Sequence, residues 1–515
     1  MDGIGDDPAD DWAPFGRPLF DDPETRALAR VGVIDVGSNS VRLVVFDGAA
    51  RSPAYFYNEK VMAGLGDGMA ETGRLNPEGK VRAFSAIRRF GLLSESMGIT
   101  PLTAVATAAM REAEDGAEFA AQIEAETGIR LWIIDGVEEA RLSAQGVLLG
   151  WPGAYGLVCD IGGSSMELAE LRDGKVGKTV SSKLGPLRLK SLPDGATGIS
   201  QHINATITAL KGDLGDQPDR LFLVGGSWRA IARIDMARRD YPLAVLHEYR
   251  MSRDSVLATV DYIAQTDPTD LRAHTGIGEA RMALVPLASQ VLKAMVERFE
   301  PYDIAVSSYG IREGLLYEQM PQILRDRDPL IEACRFYESK DARMPGFGRR
   351  LNRFVSPLFK DLPDDDLRLI RAACLLHDVN WRAHPDYRHE VTFEAATRAN
   401  LGGMRHEERV FLGLALLHRY KNSRMGSRFD PLFALLPEER VHLAEVIGKA
   451  LRFGAMLSVD SPDSMGRLHL DRDQGALEMH LARGTEALFG EVVEARFRSL
   501  AAALGVDPVV VLPED

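Results

Sequence analysis

Two short stretches carry the residue types that could handle a phosphate. Asp35-Val-Gly37-Ser38-Asn39-Ser40 follows the apolar run Val31 to Ile34 and precedes Val41 to Phe46. Asp160-Ile-Gly162-Gly163-Ser164-Ser165 follows Gly156 to Cys159 and precedes Met166 to Leu171. Each reads as a strand, an acidic strand end, a tight turn of small residues and a second strand. Such a turn offers backbone N–H groups and hydroxyls pointing one way, which is a nest for an anion. Standing alone, it is as readily a hairpin with an acidic corner. Its repetition gives it weight, because two facing hairpins would surround a phosphoryl group with donors. Asp35 and Asp160 offer acceptor-only oxygens suited to Mg²⁺ or to its waters.

Two further strand ends add to this set. Gly225-Gly226-Ser227 closes the apolar run Leu221 to Val224, and Thr107 to Arg111 follows Leu102 to Ala106. In open α/β sheets, ligands bind where such turns converge. A guanidinium at Arg111 could clamp phosphate oxygens bidentately, or pair with Glu112 or Glu114. Glu138 and Glu139 open a helix directly after the strand Leu131 to Ile134. Carboxylates there are favoured by the helix dipole, and could equally serve as a base or water-positioning group.

The elements that must position these residues alternate. Strands are expected at 31–34, 41–46, 54–57, 102–106, 131–134, 156–160, 166–171, 221–224 and 304–308. Helices are expected from Asn76-Pro77, over 119–127, from Gly136 to about Leu149, near His202 to Leu210, from Trp228, from Tyr309, and as one long run from Arg281 to Phe299. This order describes two related α/β halves with mixed sheets, over 31–152 and 153–330. Beyond 330 the strand signals stop, and 331–515 reads as a separate all-α domain whose last helix runs from Gly475 to Leu504. Residues 1–30, acidic and broken by Pro8, Pro14, Pro18 and Pro23, read as a flexible arm.

Composition sets limits. At 515 residues the chain has room for about three domains. Its net charge of −14 argues against non-specific nucleic-acid binding, which needs a basic field. A polyanion would need a local positive groove in an acidic body. No apolar run is long enough to span a membrane, and the acidic start is unlike a secretory signal. Three scattered cysteines, Cys159, Cys334 and Cys374, form no disulfide framework. A cytoplasmic protein is the expectation.

Taken together, these segments resemble the exopolyphosphatase/guanosine pentaphosphatase (Ppx/GppA) family of the actin/Hsp70/sugar-kinase fold. The matching pieces are Asp35-Val-Gly-Ser-Asn-Ser-Val-Arg-Leu43, Ala106-Thr-Ala-Ala-Met-Arg111-Glu-Ala113, Gly136-Val-Glu-Glu-Ala-Arg141, Asp160-Ile-Gly-Gly-Ser-Ser-Met-Glu167-Leu168, Val224-Gly-Gly-Ser227 and Tyr309-Gly-Ile-Arg-Glu-Gly314. The resemblance implies two duplicated actin/Hsp70-like (ribonuclease H-like) domains followed by an all-α HD-like domain. It implies that Glu139 is the catalytic glutamate, aided by Arg111. Asp160 and Glu167 would serve a metal and the attacking water, with Asp35 as a further metal residue. Phosphate would meet Gly37, Ser38, Asn39, Arg111, Gly162, Gly163, Ser164, Gly226 and Ser227. Ser164 and Ser227 depart from the family, which usually has Gly and Thr there. The implied reaction is Mg²⁺-dependent release of terminal phosphate from polyphosphate. The same chemistry on guanosine pentaphosphate is the nearest alternative, and a nucleotide-binding sensor is another. A homodimer is implied as well.

Eight of the eleven histidines lie beyond residue 331. Ala373-Cys-Leu-Leu-His377-Asp378 resembles an HD-type metal phosphohydrolase segment. A working site needs more ligands, and 331–370 contains no histidine, although His389 and His418 could be remnants. The expectation is a structural or substrate-guiding domain. Lys421, Arg424 and Arg428, with Lys183, Arg188 and Lys190, are candidates for lining a polyphosphate channel, or else form solvated basic loops.

Overall fold

The structure is a computed structural model that describes residues 30–47, 51–99, 102–192, 195–217 and 219–513. The expected acidic arm lies outside the described residues, except for Arg30. The chain divides into two compact units, with the division between Asp326 and Arg327.

The α/β unit contains two mixed sheets. The first comprises β1 (Val31–Val36), β2 (Val41–Phe46), β3 (Tyr55–Val61), β4 (Leu102–Ala106) and β5 (Leu131–Ile133), in the order β3-β2-β1-β4-β5. The second comprises β6 (Gly156–Ile161), β7 (Met166–Arg172), β8 (Lys175–Ser182), β9 (Arg220–Val224), β10 (Arg250–Met251) and β11 (Asp303–Val306). Read from its far edge, its order is β8-β7-β6-β9-β11-β10. Both sheets begin with three antiparallel strands and continue with parallel ones. Apart from the added edge strand β10, the two sheets follow one plan.

The central strands β1 and β6 are nearly continuous apolar runs, buried apart from the half-buried Asp35 and Asp160. That is the pattern of strands covered on both faces. A core formed by Ile34, Leu43, Ile87, Phe90 and Ile123 fills the first half. Leu168, Leu223, Trp228, Val291 and Ile304 belong to the core of the second.

Two differences from the sequence reading have clear causes. Strand β8 was not among the expected strands. It returns from β7 through Asp173 and Gly174, whose φ angles of 50° and 69° fit a two-residue hairpin turn. The long helix expected from Arg281 is two helices, Glu279–Met282 and Val285–Phe299. Pro286 sits at the start of the second, where its missing N–H needs no partner.

The second unit is mainly helical, including Pro329–Asp341, Phe347–Val355, Asp364–Leu376, Arg388–Arg398, His406–Tyr420, Glu438–Leu457 and Glu491–Leu504. It is not all-α. Strands β12 (Gly466–Asp471), β13 (Ala476–Leu481) and β14 (Asp507–Val511) form a sheet in that order. The expected helix from Gly475 to Leu504 is therefore β13 followed by a shorter helix. Leu477, Met479 and Leu481 are buried while Glu478 and His480 between them are half-buried, a period of two. Asp471 Oδ1 accepts from Asp473 N and Gln474 N at 3.0 and 2.9 Å, which sets the turn between β12 and β13.

Candidate active site

The two Asp-Gly turns are built alike. Gly37 N donates to Ser40 O at 3.0 Å, and Gly162 N donates to Ser165 O at 3.0 Å. Each turn is then braced from outside. Ser38 O and Asn39 O accept from Gly66 N and Gly64 N at 2.8 and 3.0 Å. Gly163 O and Ser164 O accept from Leu187 N and Gly185 N at 2.8 and 3.3 Å. In a trans peptide the C=O and the following N–H point in opposite directions. With these carbonyls drawn into the brace, the N–H groups of Asn39, Ser40, Ser164 and Ser165 point the other way. Both turns thus present donors to an anion. Ser164 Oγ donates to Ser38 Oγ at 3.3 Å, so the two turns meet. The serine at 164 supplies that bridge.

The paired glutamates separate. Asp135 caps their helix, accepting from Glu138 N at 2.8 Å. Glu138 then pairs along the surface with Arg141 at 2.7 Å. Glu139 turns inward and is 8% exposed. Arg111 Nη1 binds both Glu139 Oε2, at 3.2 Å, and Ile134 O, at 2.7 Å. The carbonyl and the carboxylate together fix the guanidinium against Glu139. Burial, with the nearby Asp160 charge, pushes the Glu139 pKa up to about 8, while Arg111 opposes the rise.

Asp160 stands directly across from Glu167 in the β6–β7 ladder. Ser143 donates to Asp160 Oδ2, and Ser181 donates to Glu167 Oε1 at 3.1 Å. Glu167 Oε2 is buried with no hydrogen-bond partner among the described residues. Burial raises the pKa of both carboxyls, and Glu139 and Asp160 raise that of Glu167 further. Asp35 is raised by burial against the pull of Arg312 and Arg42.

Facing these acids is a group of bases that sequence reasoning left without roles. Arg312 is 8% exposed, and its Nε lies 3.8 Å from Asp35 Oδ2. Arg229 donates to Ser308 O at 3.3 Å and also acts on Asp160. Burial and the Arg312 charge press its pKa down to about 10. Arg281 donates to Ser227 Oγ at 3.3 Å, so the expected phosphate contact at Ser227 is a fully buried hydroxyl engaged by an arginine. Lys60 is depressed by burial and then by Arg281, Arg42 and Arg229. Arg312 stood in a quoted motif, and Arg42 is fixed opposite Asp35 by the hairpin register. Arg229, Arg281 and Lys60 had no motif to mark them, and only the fold brings them together.

The third turn needs its first glycine. Gly225 has φ 114°, and a Cβ there would stand 2.6 Å from Ile161 O. A Cβ on Gly226 would stand 2.7 Å from Arg281 Nη2. The helix carrying Glu139 is fixed by close crossing with Ile311–Glu318. A Cβ on Gly146 or Gly314 would collide with the carbonyl of Gly310 or Leu142. Glu313 ties that second helix to β3, accepting from Tyr55 OH at 2.6 Å and from Gly310 N at 2.8 Å.

Arg188 approaches Glu112 at 3.8 Å, and Lys183 is exposed. In the helical unit, Arg424 pairs with Glu438 at 3.5 Å, and Arg428 with Glu390 and Glu394 at 3.0 and 3.1 Å. Lys421 is half-buried. His377 is buried under Phe347, and burial lowers its pKa to about 3. Asp378 gives both oxygens to Arg343, at 2.6 and 2.7 Å. His418 is buried, its pKa lowered to about 4, and His389 lies 3.9 Å from Glu390. Among the described residues, no three or more His, Cys, Asp or Glu side chains are grouped to hold a metal ion by themselves. No helix among them is long and apolar enough to cross a membrane.

Comparison with known proteins places these features in context. The profile of the Ppx/GppA phosphatase family matches residues 44–323, and that of the exopolyphosphatase C-terminal region matches 358–510. Exopolyphosphatase 1 of Mycobacterium leprae (strain TN) is 26% identical over 309 residues, covering 56% of this chain and 89% of the relative. Retrograde regulation protein 2 of Saccharomyces cerevisiae is 24% identical over 451 residues, covering 78% of this chain and 74% of the relative. The crystal structure of an exopolyphosphatase from Cytophaga hutchinsonii superposes with a TM-score of 0.51 at 24% identity. It covers 56% of this chain and 96% of that one, and it shares the fold.

Proposed function

Because the chain belongs to the Ppx/GppA phosphatase family, we propose that it is an exopolyphosphatase that hydrolyses the terminal phosphoanhydride of inorganic polyphosphate. One observation carries this reading. A buried carboxylate, Glu139, is held by Arg111 at 3.2 Å and shares its surroundings with Asp160, which follows the strand into a donor-lined turn.

Phosphoanhydride hydrolysis needs an in-line water, a group to orient or deprotonate it, and positive charge on the transferred oxygens. Glu139 takes the water's proton, and its raised pKa suits a base working near neutral pH. The N–H groups of the Ser38 and Ser164 turns bind the phosphoryl oxygens. Arg111 orients Glu139 and offers its remaining N–H groups to the same oxygens. Arg312, Arg229 and Arg281 add charge for the phosphates behind the terminal one.

Mg²⁺ belongs to the proposal. The unpaired, buried Glu167 Oε2 and the crowding of Glu139, Asp160 and Glu167 call for a cation. Mg²⁺ usually takes one or two carboxylates and completes its shell with waters and phosphate oxygens, so it needs no full protein cage. Asp160 and Glu167 would hold it, with Asp35 beside them. When bound, it neutralises charge on the phosphate oxygens.

The reading extends to two duplicated actin-like halves, supported by the shared strand order, and to a cytoplasmic homodimer, which sedimentation of the purified chain tests. Guanosine pentaphosphate is the second substrate considered, since the same donors would accept its 5′ end. A sensor role draws on the yeast relative, which is named as a regulation protein and matches across both units. One experiment separates the three: phosphate release from long polyphosphate, guanosine pentaphosphate and ATP, each with and without Mg²⁺. Fastest Mg²⁺-dependent release from polyphosphate supports the proposal. Faster release from the guanosine substrate, or binding of any of them without release, overturns it.

A further inference from the structure

The helix Gly136–Gly150 meets the second sheet along one row of residues. Asp160 on β6 pairs with Glu167 on β7, and Glu167 pairs with Ser181 on β8. Gly136, Glu139 and Ser143, spaced by three and four, share one face of the helix. A Cβ on Gly136 would meet Ser181 Oγ and Cβ, so the helix starts directly over that serine. Glu139 stands close enough to Asp160 and Glu167 for the charges to act on one another. Ser143, fully buried, donates to Asp160 Oδ2.

The two facing acids are held in the same way. Asp160 is bonded at Oδ2, and its Oδ1 accepts no hydrogen bond among the described residues. Ser181 donates to Glu167 Oε1 at 3.1 Å, and Glu167 Oε2 is the buried oxygen without a partner. Ser165 also favours the charged form of Glu167, without a hydrogen bond to Oε2. Each carboxylate thus has one oxygen taken by a serine hydroxyl and one left open. The neutral partners set these two acids apart. Asp35 stands 3.8 Å from Arg312 and Glu139 stands 3.2 Å from Arg111, whereas Asp160 and Glu167 form no ion pair among the described residues. A guanidinium would cancel the charge that attracts a cation. A hydroxyl orients the carboxylate and leaves its charge in place. That orientation has to be imposed, because the terminal torsion of an acid side chain is broad and like charges facing across a ladder repel.

We propose that Ser143 and Ser181 are positioning residues, which hold Asp160 and Glu167 each by one oxygen so that the other oxygen of each is left for a divalent cation. Ser143 does this one turn beyond Glu139, so a single helix sets both the base and the carboxylate that meets the cation. The inference rests on the Mg²⁺-dependent hydrolysis proposed above.

Mg²⁺ titration of the full chain without substrate, read by thermal shift, tests it beside steady-state hydrolysis of polyphosphate. Ser143→Ala and Ser181→Ala are each expected to need about tenfold more Mg²⁺ for the half-maximal shift and to lower kcat about 10- to 100-fold, as for residues that orient metal ligands. KM for polyphosphate should stay within about twofold. Ser181→Thr, which keeps the hydroxyl at an exposed strand position, should retain the parent's Mg²⁺ midpoint. A shift as large as that of Ser181→Ala would show that the hydroxyl is not the acting group. Ser289→Ala is the control for lost packing, since Ser289 is also a buried helix serine and donates to Pro286 O at 2.8 Å. It should melt lower and keep the parent's Mg²⁺ midpoint. If Ser143→Ala does not fold, Ser181→Ala decides. An unchanged Mg²⁺ midpoint in either folded alanine variant overturns the inference while the parent's Mg²⁺-dependent release stands. A parent that shows neither a Mg²⁺-dependent shift nor phosphate release overturns the proposed reaction, and this inference with it.

Discussion

Glu167 faces Asp160 across the β6–β7 ladder at the position where the β1–β2 ladder pairs Asp35 with Arg42. The two hairpins share a plan and differ in charge. One couples acid to base, and the other couples acid to acid on a single face. Cross-strand like charges are destabilising, and the Mg²⁺ proposal rests on this second hairpin.

Glu167→Gln removes one of the two facing acids and the orphaned oxygen's charge. The expected result is a higher melting temperature without Mg²⁺, a smaller rise when Mg²⁺ is added, and slower phosphate release. Thermal melts with and without Mg²⁺, beside an activity assay, measure all three. A variant that melts lower and responds to Mg²⁺ as before would sink the assignment.

Glu139→Gln should lower phosphate release about 10²- to 10⁴-fold, the range of a general base. In the unsubstituted protein, activity should rise with pH and level off near the Glu139 value of about 8. Arg111→Gln should move that midpoint upward, since the guanidinium holds the value down.

The same carboxyl affects stability. Its folded pKa of about 8 lies above the ordinary 4.5, so the folded protein retains a proton that the unfolded chain releases. The associated stability is present below 4.5 and is lost as pH rises toward 8. Glu139→Gln should therefore melt higher than the parent above pH 8, with the difference shrinking toward pH 4.5. Parallel melting curves at all pH values would contradict this.

Ser164→Ala removes the 3.3 Å bond that joins the two turns. Its backbone donors and their braces remain. The expected outcome is a KM several-fold higher with kcat within about twofold, the signature of lost ground-state binding. A fall in kcat alone would place Ser164 in the chemistry instead.

Gly225→Ala tests the third turn. The φ of 114° and the Ile161 carbonyl both oppose a Cβ, so destabilisation of more than about 1 kcal/mol is expected from denaturant melts. Activity should fall as well, because Asp160 Oδ1 would lie 3.1 Å from the new methyl.

Residues whose positions repeat along the chain were legible in the sequence. The Asp35 and Asp160 turns could be read as a pair because each lies between apolar runs of the same length and character. The helix start after a strand end marked Glu138 and Glu139 together, and the family resemblance singled out Glu139. The basic side of the site was not legible. Arg229, Arg281 and Lys60 come from separate elements and meet only through sheet order, which no local pattern encodes. In the helical unit, the sequence reading runs a helix from Gly475 to Leu504, whereas buried Leu477, Met479 and Leu481 alternate with Glu478 and His480 in β13. Strand β8 was missed although Asp173-Gly174 announces its turn.

The bond between Tyr55 and Glu313 joins residues 258 positions apart. During synthesis the acids at 35, 139, 160 and 167 leave the ribosome well before Arg312, the guanidinium that stands against Asp35. The latch that seats the Ile311–Glu318 helix comes one residue later. A nascent chain stopped anywhere short of that point carries the acids without this counter-charge. The order of translation therefore leaves these acids without that counter-charge until the α/β unit is almost wholly made.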